Sequence, residues 1–417
     1  MLQFLRKQNL TADCYDLAEE IALFRREMTR GLQGEPSSLF MIPTFLTPDA
    51  GDIEDQTLVV LDAGGTNLRT GCVTFRNGLA QDVTFEKFPL PGTDRELECD
   101  EFFDAVAEKL APYLDKGEKV GFCFSYVAHC MENKDAKLEA FCKEVKVKGA
   151  EGVEICKALD EAIRRRGVKK DYRYVQLNDT VATLLGGMAA TDRSKYDAYI
   201  GYILGTGTNG CYVENTENIG KYTGSAYTAK TMIINMESGC YAGFKKGAID
   251  EALDAASAIP GDHQAEKLVS GAYMGSIILG AMKAAAKEGL MTVNTSADTI
   301  PMPDVNAFLA GEKSVLDDMI PADSKDAARQ VIEGVYSRTA RLMAVTYGAI
   351  ALHTGRGKEK PMAIVLEGST YQKSPVIQQY LAKELDTLKQ MYGIGFEVVG
   401  AENATLTGSA FAAVSNT

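Results

Sequence analysis

The sequence predicts a two-lobed α/β protein with a small and a large domain around a central cleft. Three observations predict it. The chain has 417 residues, too many for a single compact core. Apolar strand patterns alternate with helical patterns through the first half. And two stretches far apart, "LDAGGTNLRTGCV" (61–73) and "ILGTGTNGCYV" (203–213), repeat one device: an apolar strand, a Gly-Thr-Asn turn and a second apolar strand.

The elements follow in order. Leu17, Ile21, Phe24 and Met28 recur at helical steps and predict an amphipathic helix over 12–30, stopped by Gly31 and Gly34. "SSLFMIPTFLTP" reads as a connecting segment. Strands are predicted over 57–63, 69–76, 81–88, 119–126 and 172–177, and helices over 100–115, 154–167 and 180–190. The second half is richer in helix. "AEKLVSGAYMGSIILGAMKAAAKEG" and "AARQVIEGVYSRTARLMAVTYGAIALH" are long, and the latter is apolar on most faces, which predicts burial. "PMAIVLEGSTY" is a strand entering a Gly-Ser turn, and "TGSAFAAV" a short closing helix.

Composition narrows the function. A net charge of -13 excludes a general nucleic-acid surface, which needs a basic footprint. Any anionic ligand must instead be held by local donors. The nine cysteines contain no C-x-x-C pair and the chain has only three histidines. Reduced thiols in a cytoplasmic protein are expected, not a disulfide framework or a structural zinc. No apolar run reaches about 18 residues, so no membrane span is expected, and the N-terminus lacks the apolar stretch of a signal peptide.

The turns carry the chemistry. A Gly64-Gly65-Thr66-Asn67 hairpin exposes N–H groups outside the ladder, and glycine lets a bulky anion approach. Asp62 stands just before it. A carboxylate beside phosphates needs a cation between them, which points to hydrated Mg2+. Thr66 can donate to phosphate and Arg69 adds positive charge. The second turn, Gly205-Thr206-Gly207-Thr208-Asn209, would grip the same polyphosphate from the other side. "GTGTNG" satisfies G-x-G-x-x-G formally, but a strand follows it where a dinucleotide site needs a helix. Asn178-Asp179 lies where a strand meets a helix. Helix capping explains such a pair, and so does a base at a strand end that accepts a hydroxyl proton. Ser125, Glu237 and Glu266 stand at element ends, where capping or surface roles are the default.

Taken together these segments resemble the hexokinase family of the actin-like ATPase (ribonuclease H-like) superfamily. "LDAGGTNLR" and "GTGTNGCYVE" are similar to its two phosphate motifs, "NDTVATL" to the segment with the catalytic aspartate, and "INMESG" and "PGDHQAEKLVSGAYMG" to its sugar motifs. "VLEGSTYQKSP" resembles its nucleotide-base motif. The resemblance implies ATP-dependent phosphorylation of a hexose, D-glucose foremost, at its 6-hydroxyl; a preference for mannose, fructose or an amino sugar, or a non-catalytic sensor of nucleotide and sugar, are the alternatives. It implies Asp179 as base, and Ser125, Lys143, Asn178, Asn209, Glu237 and Glu266 around the sugar. Asp62 holds magnesium through water; Gly64, Gly65, Thr66, Asn67 and Arg69 form the first phosphate hairpin and Gly205, Thr206 and Gly207 the second. Gly368 and Ser369 lie near the nucleoside. The implied small domain is 57–178 plus 404–417, and the large one 1–56 plus 179–403. Hexose and ATP are the expected partners, with no nucleic acid or membrane, in a monomer or homodimer. The sequence departs from the family pattern at Val127, Cys142 and Ser238, where the family often has Pro, Thr and Trp, and His263 stands where it often has Gln.

Overall fold

The computed structural model describes residues 1–141 and 145–417. In the first half the strands are β1 (Ile42–Pro43), β2 (Gln56–Gly64), β3 (Asn67–Arg76), β4 (Leu79–Pro89), β5 (Leu97–Glu98), β6 (Lys119–Phe124), β7 (Val127–Cys130), β8 (Ala136–Ala140), β9 (Val147–Lys148) and β10 (Arg173–Leu177). The second half adds β11 (Ala198–Leu204), β12 (Thr208–Asn215), β13 (Thr231–Asn235), β14 (Met362–Glu367) and β15 (Phe396–Val399).

Two large sheets result. One runs β10-β6-β2-β3-β4, the other β1-β13-β12-β11-β14-β15. Their cores are built alike. In the first, the antiparallel meander β2-β3-β4 is extended by β6 and β10, parallel to β2. In the second, the antiparallel run β11-β12-β13 is extended by β14 and β15, parallel to β11. The two Gly-Thr-Asn turns are the equivalent hairpins β2–β3 and β11–β12, as the sequence repeat predicts.

Two helices lie between the sheets, Asp179–Ala190 and Ala404–Asn416. Both are apolar nearly all round, which suits a buried position. They touch backbone to backbone: a Cβ at Gly408 would stand 1.8 Å from the Ala182 carbonyl oxygen. The second helix meets its sheet equally closely, since a Cβ at Gly121 on β6 would stand 2.0 Å from the Ser409 oxygen.

Several expectations are adjusted. The first long helix is Leu17–Gln33, because Asp16 caps it by accepting from the Glu19 N–H. Gly31 lies inside that helix and does not end it. Its missing side chain admits the Leu39 carbonyl, 2.5 Å from where a Cβ would be, and Gly34 at φ 75° ends the helix. The connecting segment after it contributes β1, paired with β13. The single helix predicted from Ala265 onward is two, Gln264–Val269 and Gly271–Lys287, broken where Ser270 turns extended at φ -82°, ψ 157°. The Gly-Ser turn after β14 opens a short helix, Ser369–Gln372.

The helix Lys325–Thr354 is buried over most of its length, as predicted. It also carries Arg338 into the core, fully buried, where its guanidinium bonds Asp250 at 2.8 Å. Among the described residues no helix is long and apolar enough to cross a membrane.

Candidate active site

The first hairpin is a two-residue turn. Gly64 pairs with Asn67, and Gly65 takes φ 60°, the backbone a tight hairpin needs at its first central position. Thr66 and Asn67 are exposed at the tip, whereas Asp62 is buried. The carboxylate of Asp62 accepts from Arg69 and, at 2.9 Å, from the Thr405 hydroxyl. Ser125, just beyond β6, donates its N–H to Ala63 at 3.0 Å, and its Oγ lies 3.2 Å from where a Gly64 Cβ would be. Tyr126 closes the turn by donating to the Gly65 carbonyl at 2.6 Å.

Strand register brings the next pair alongside. Cys123 on β6 faces Asp62 on one side and Leu177 on the other. Asn178 and Asp179 therefore emerge at the carboxyl end of the same parallel strands as Asp62 and Ser125. Asn178 does the capping, accepting from the Val181 N–H at 2.9 Å. Asp179 opens the helix, half-buried, and accepts from the Thr180 hydroxyl at 3.3 Å. Burial, then the charges of Asp62 and Asp179, push the Cys123 thiol well up, so both carboxylates are within electrostatic reach of one sulfur.

The second hairpin uses its glycines differently. Neither Gly205 nor Gly207 has a positive φ; what matters is close approach. A Cβ at Gly207 would stand 2.6 Å from Glu266 Oε2, which accepts from the Thr208 N–H at 3.0 Å. The carbonyls of Gly205 and Thr206 accept from the Gly271 and Ala272 N–H groups at 2.8 and 3.2 Å, which fastens the turn to the start of a helix. Gly368, at φ 111°, lies against Leu204 and Gly205, with Ser369 beside it.

Behind this turn the polar side chains converge. Asn209 Nδ2 donates to Asn235 at 2.8 Å and to Glu237 Oε1 at 3.3 Å, and Asn235 donates to the same Glu237 oxygen at 2.7 Å. Glu237 sits in the left-handed region at φ 52°, ψ 50°, strain of the kind that marks functional positions. Burial raises its carboxyl, against the Asn235 bond, and the charges of Asp179 and Glu266 add to the rise. Asp179, Glu237 and Glu266 thus lie within electrostatic reach of one another. Arg69 likewise acts on Glu367, the residue before Gly368, whose carboxyl burial raises. That ties the first hairpin to the segment of Gly368 and Ser369.

Of the residues expected from sequence, Lys143 lies outside the described residues. The others fall into these two hairpins, the polar group behind the second, and the strand ends beside them, with Ser125 and Asn178-Asp179 by the first and Gly368-Ser369 by the second. Sequence reasoning missed Thr405, Tyr126 and Asn235. Asn235 stands two residues before Glu237 in "INMESG" and had a signal in that spacing. Thr405 had none, because the closing helix was expected to begin later.

Comparison with known proteins follows the same outline. Family profiles described as Hexokinase match residues 4–189 and 199–415. Hexokinase-3 of Homo sapiens is 28% identical over 397 residues, covering 88% of this chain and 42% of that protein. Hexokinase of Brugia malayi is 27% identical over 430 residues, covering 94% of this chain and 73% of that one. The chain spans about two fifths of the length of the mammalian relatives it matches. Among solved structures, a hexokinase from Schistosoma mansoni complexed with glucose superposes with a TM-score of 0.75 at 23% identity, covering 96% of each chain. A second hexokinase crystal structure gives 0.77 at 21%, also covering 96% of each. Identities this low speak for the two-lobed fold.

Proposed function

The chain belongs to the hexokinase family, and on that premise we propose that it transfers the γ-phosphoryl group of ATP to the 6-hydroxyl of a hexose, D-glucose foremost. The observation that carries the proposal is the grouping of Asp179, Glu237 and Glu266 beside two glycine hairpins from different sheets.

In this reading Asp179 accepts the proton of the attacking hydroxyl. Its position at the start of a helix already capped by Asn178 supports that role, because the capping duty is filled. Glu237, Glu266 and Asn209, with Asn178, Ser125 and Lys143, hold the sugar; carboxylates and amides suit vicinal hydroxyls. A desolvated Glu237 gains hydrogen bonds from such hydroxyls, which favours binding. Gly64, Gly65, Thr66, Asn67 and Arg69 bind phosphate on one side, and Gly205, Thr206 and Gly207 on the other. Gly368 and Ser369 border the nucleoside.

The Asp62 carboxylate, held by Arg69 and Thr405 next to the exposed hairpin, fits a hydrated Mg2+ bound through water. That ion would neutralise charge on the phosphates. The domains proposed are 57–178 with 404–417, and 1–56 with 179–403. Their closure on the sugar would exclude water, the competing nucleophile.

The test is ADP release by the purified protein with Mg-ATP and glucose, mannose, fructose or glucosamine in turn. Sugar-dependent release, greatest with glucose, is expected. Tight binding of ATP and sugar with no release would overturn the kinase reading in favour of a sensor.

A further inference from the structure

One group of side chains beside the polar group, with His263 of the sugar motif among them, has no role assigned above. Cys240, Asp262 and His263 each offer a ligand atom, and these atoms lie within 4.8 Å of one another. Among the described residues no other group of three or more such side chains is so placed. Cys240 ends the short turn Ser238–Cys240 that follows Glu237. Asp262 and His263 lead into the helix that carries Glu266.

The local structure favours a ligand here. His263 is held at φ 47°, ψ 47°, left-handed without being glycine. Its Nδ1 is shut off from solvent and has no hydrogen-bond partner, although Asp262 Oδ1 lies 3.2 Å away. Cys240 is 7% exposed. The residue before it, Gly239, lies against Glu266: a Cβ there would stand 3.3 Å from the Glu266 Cβ and 3.6 Å from its Oε2. A bound metal ion deprotonates a thiol outright.

We propose that Cys240, Asp262 and His263 bind one Zn2+ ion at the edge of the sugar group, with a fourth position left to water. A thiolate, an imidazole and a carboxylate are a zinc set. Tetrahedral Zn2+ needs its ligand atoms about 3.5 Å apart, which side-chain rotations through roughly 1 Å would supply. The thiol proton leaves to solvent as the Zn–S bond forms. The ion also draws on the field of Glu237 and Glu266, so metal and hexose compete. That last consequence rests on the sugar site proposed above; the metal site itself does not.

Co2+ titration of the chelator-stripped full chain, followed by absorption, tests both. The expected result is a thiolate-to-cobalt charge-transfer band that saturates at one ion per chain and is displaced by Zn2+. Cys240→Ala and His263→Gln should abolish it. Asp262→Asn, on the exposed surface and harmless to folding, should weaken binding at least tenfold. Absence of the band, or its persistence in Cys240→Ala, overturns the site. Saturating glucose should raise the Co2+ Kd at least tenfold. An unchanged Kd, with glucose binding verified separately, overturns the competition while the band still establishes the metal.

Discussion

The Gly207→Ala variant separates the two halves of the proposed site. The added methyl would stand 2.6 Å from Glu266 Oε2, whereas ordinary contact begins near 3.4 Å, so that oxygen must retreat by about 0.8 Å. It cannot do so freely, because it accepts from the Thr208 N–H at 3.0 Å. A hydrogen bond to a charged group is worth about 1.5–3 kcal/mol, and displacing a substrate-positioning group by about 1 Å can cost roughly 10²-fold. The carboxylate is the end of a flexible side chain, so the fold survives and the damage falls on the sugar. Hexose KM is expected to rise about 10–100-fold, while Tm falls by only about 2 °C, the cost of roughly 1 kcal/mol. Gly205→Ala is the control. Its methyl meets nothing in the protein nearer than Gly368 Cα at 3.6 Å, so hexose KM should stay within about twofold, whatever happens to ATP. Steady-state kinetics with each substrate varied in turn and a thermal melt give the answer. An unchanged hexose KM in Gly207→Ala, or an equal rise in Gly205→Ala, would refute the placement of Glu266 between the hairpin and the sugar.

Three further predictions follow. Asp179→Ala should lower kcat by roughly 10²–10⁴-fold with ATP affinity retained in equilibrium binding; hexose turnover at the wild-type rate would remove Asp179 as base. Glu20 is fully buried, neither carboxylate oxygen has a hydrogen bond, and burial raises its carboxyl against the charge of Lys245, 4.0 Å away. The native state therefore binds its proton more readily than the unfolded chain, and stability is lost as pH rises from the ordinary carboxylate range through the raised value. Glu20→Met should be about 1 kcal/mol more stable than wild type at pH 7, with the gain shrinking toward pH 4.5 in urea unfolding; a gain independent of pH would sink the argument. Arg338→Met strands Asp250, and should cost about 3–5 kcal/mol in the same assay, with Asp250→Asn added to it restoring at least half.

The fold was legible because the two hairpins repeat in sequence what the two sheets repeat in space. The apolar runs flanking the first Gly-Thr-Asn turn named β2 and β3 to within two residues, and the second turn placed β11 and β12 on either side of it. Less legible were contacts between residues distant in the chain. Gly31 reads as a helix stop from its propensity, yet it serves close packing against Leu39 from within the helix. Thr405 reaches Asp62 across 343 positions of sequence, and nothing local announces it. The same limit applies to Asn178 and Asp179. Local preference assigns capping to either, and only the Asn178 bond to the Val181 N–H, at the end of a β10 held in register with β6, distinguishes the capping residue from its neighbour.

That register also explains why residues from so many segments can meet. In each sheet the turn of the central hairpin and the carboxyl end of the adjoining parallel strand point the same way, so β2, β6 and β10 deliver Asp62, Ser125 and Asp179 to one edge, as β11 and β14 deliver Gly205 and Gly368. The two edges are related through the helices Asp179–Ala190 and Ala404–Asn416, which touch through bare backbone at Gly408. Each helix begins in the site: one with Asp179, the other next to Thr405, which holds Asp62. A shift of one helix along the other therefore moves the edge that carries Gly205 and Gly368 relative to the edge that carries Asp62 and Asp179. Packing this close resists continuous deformation, so any movement of the sheets must go between discrete arrangements. The helix pair that holds the lobes together is thereby also what sets the distance across which phosphoryl transfer would occur.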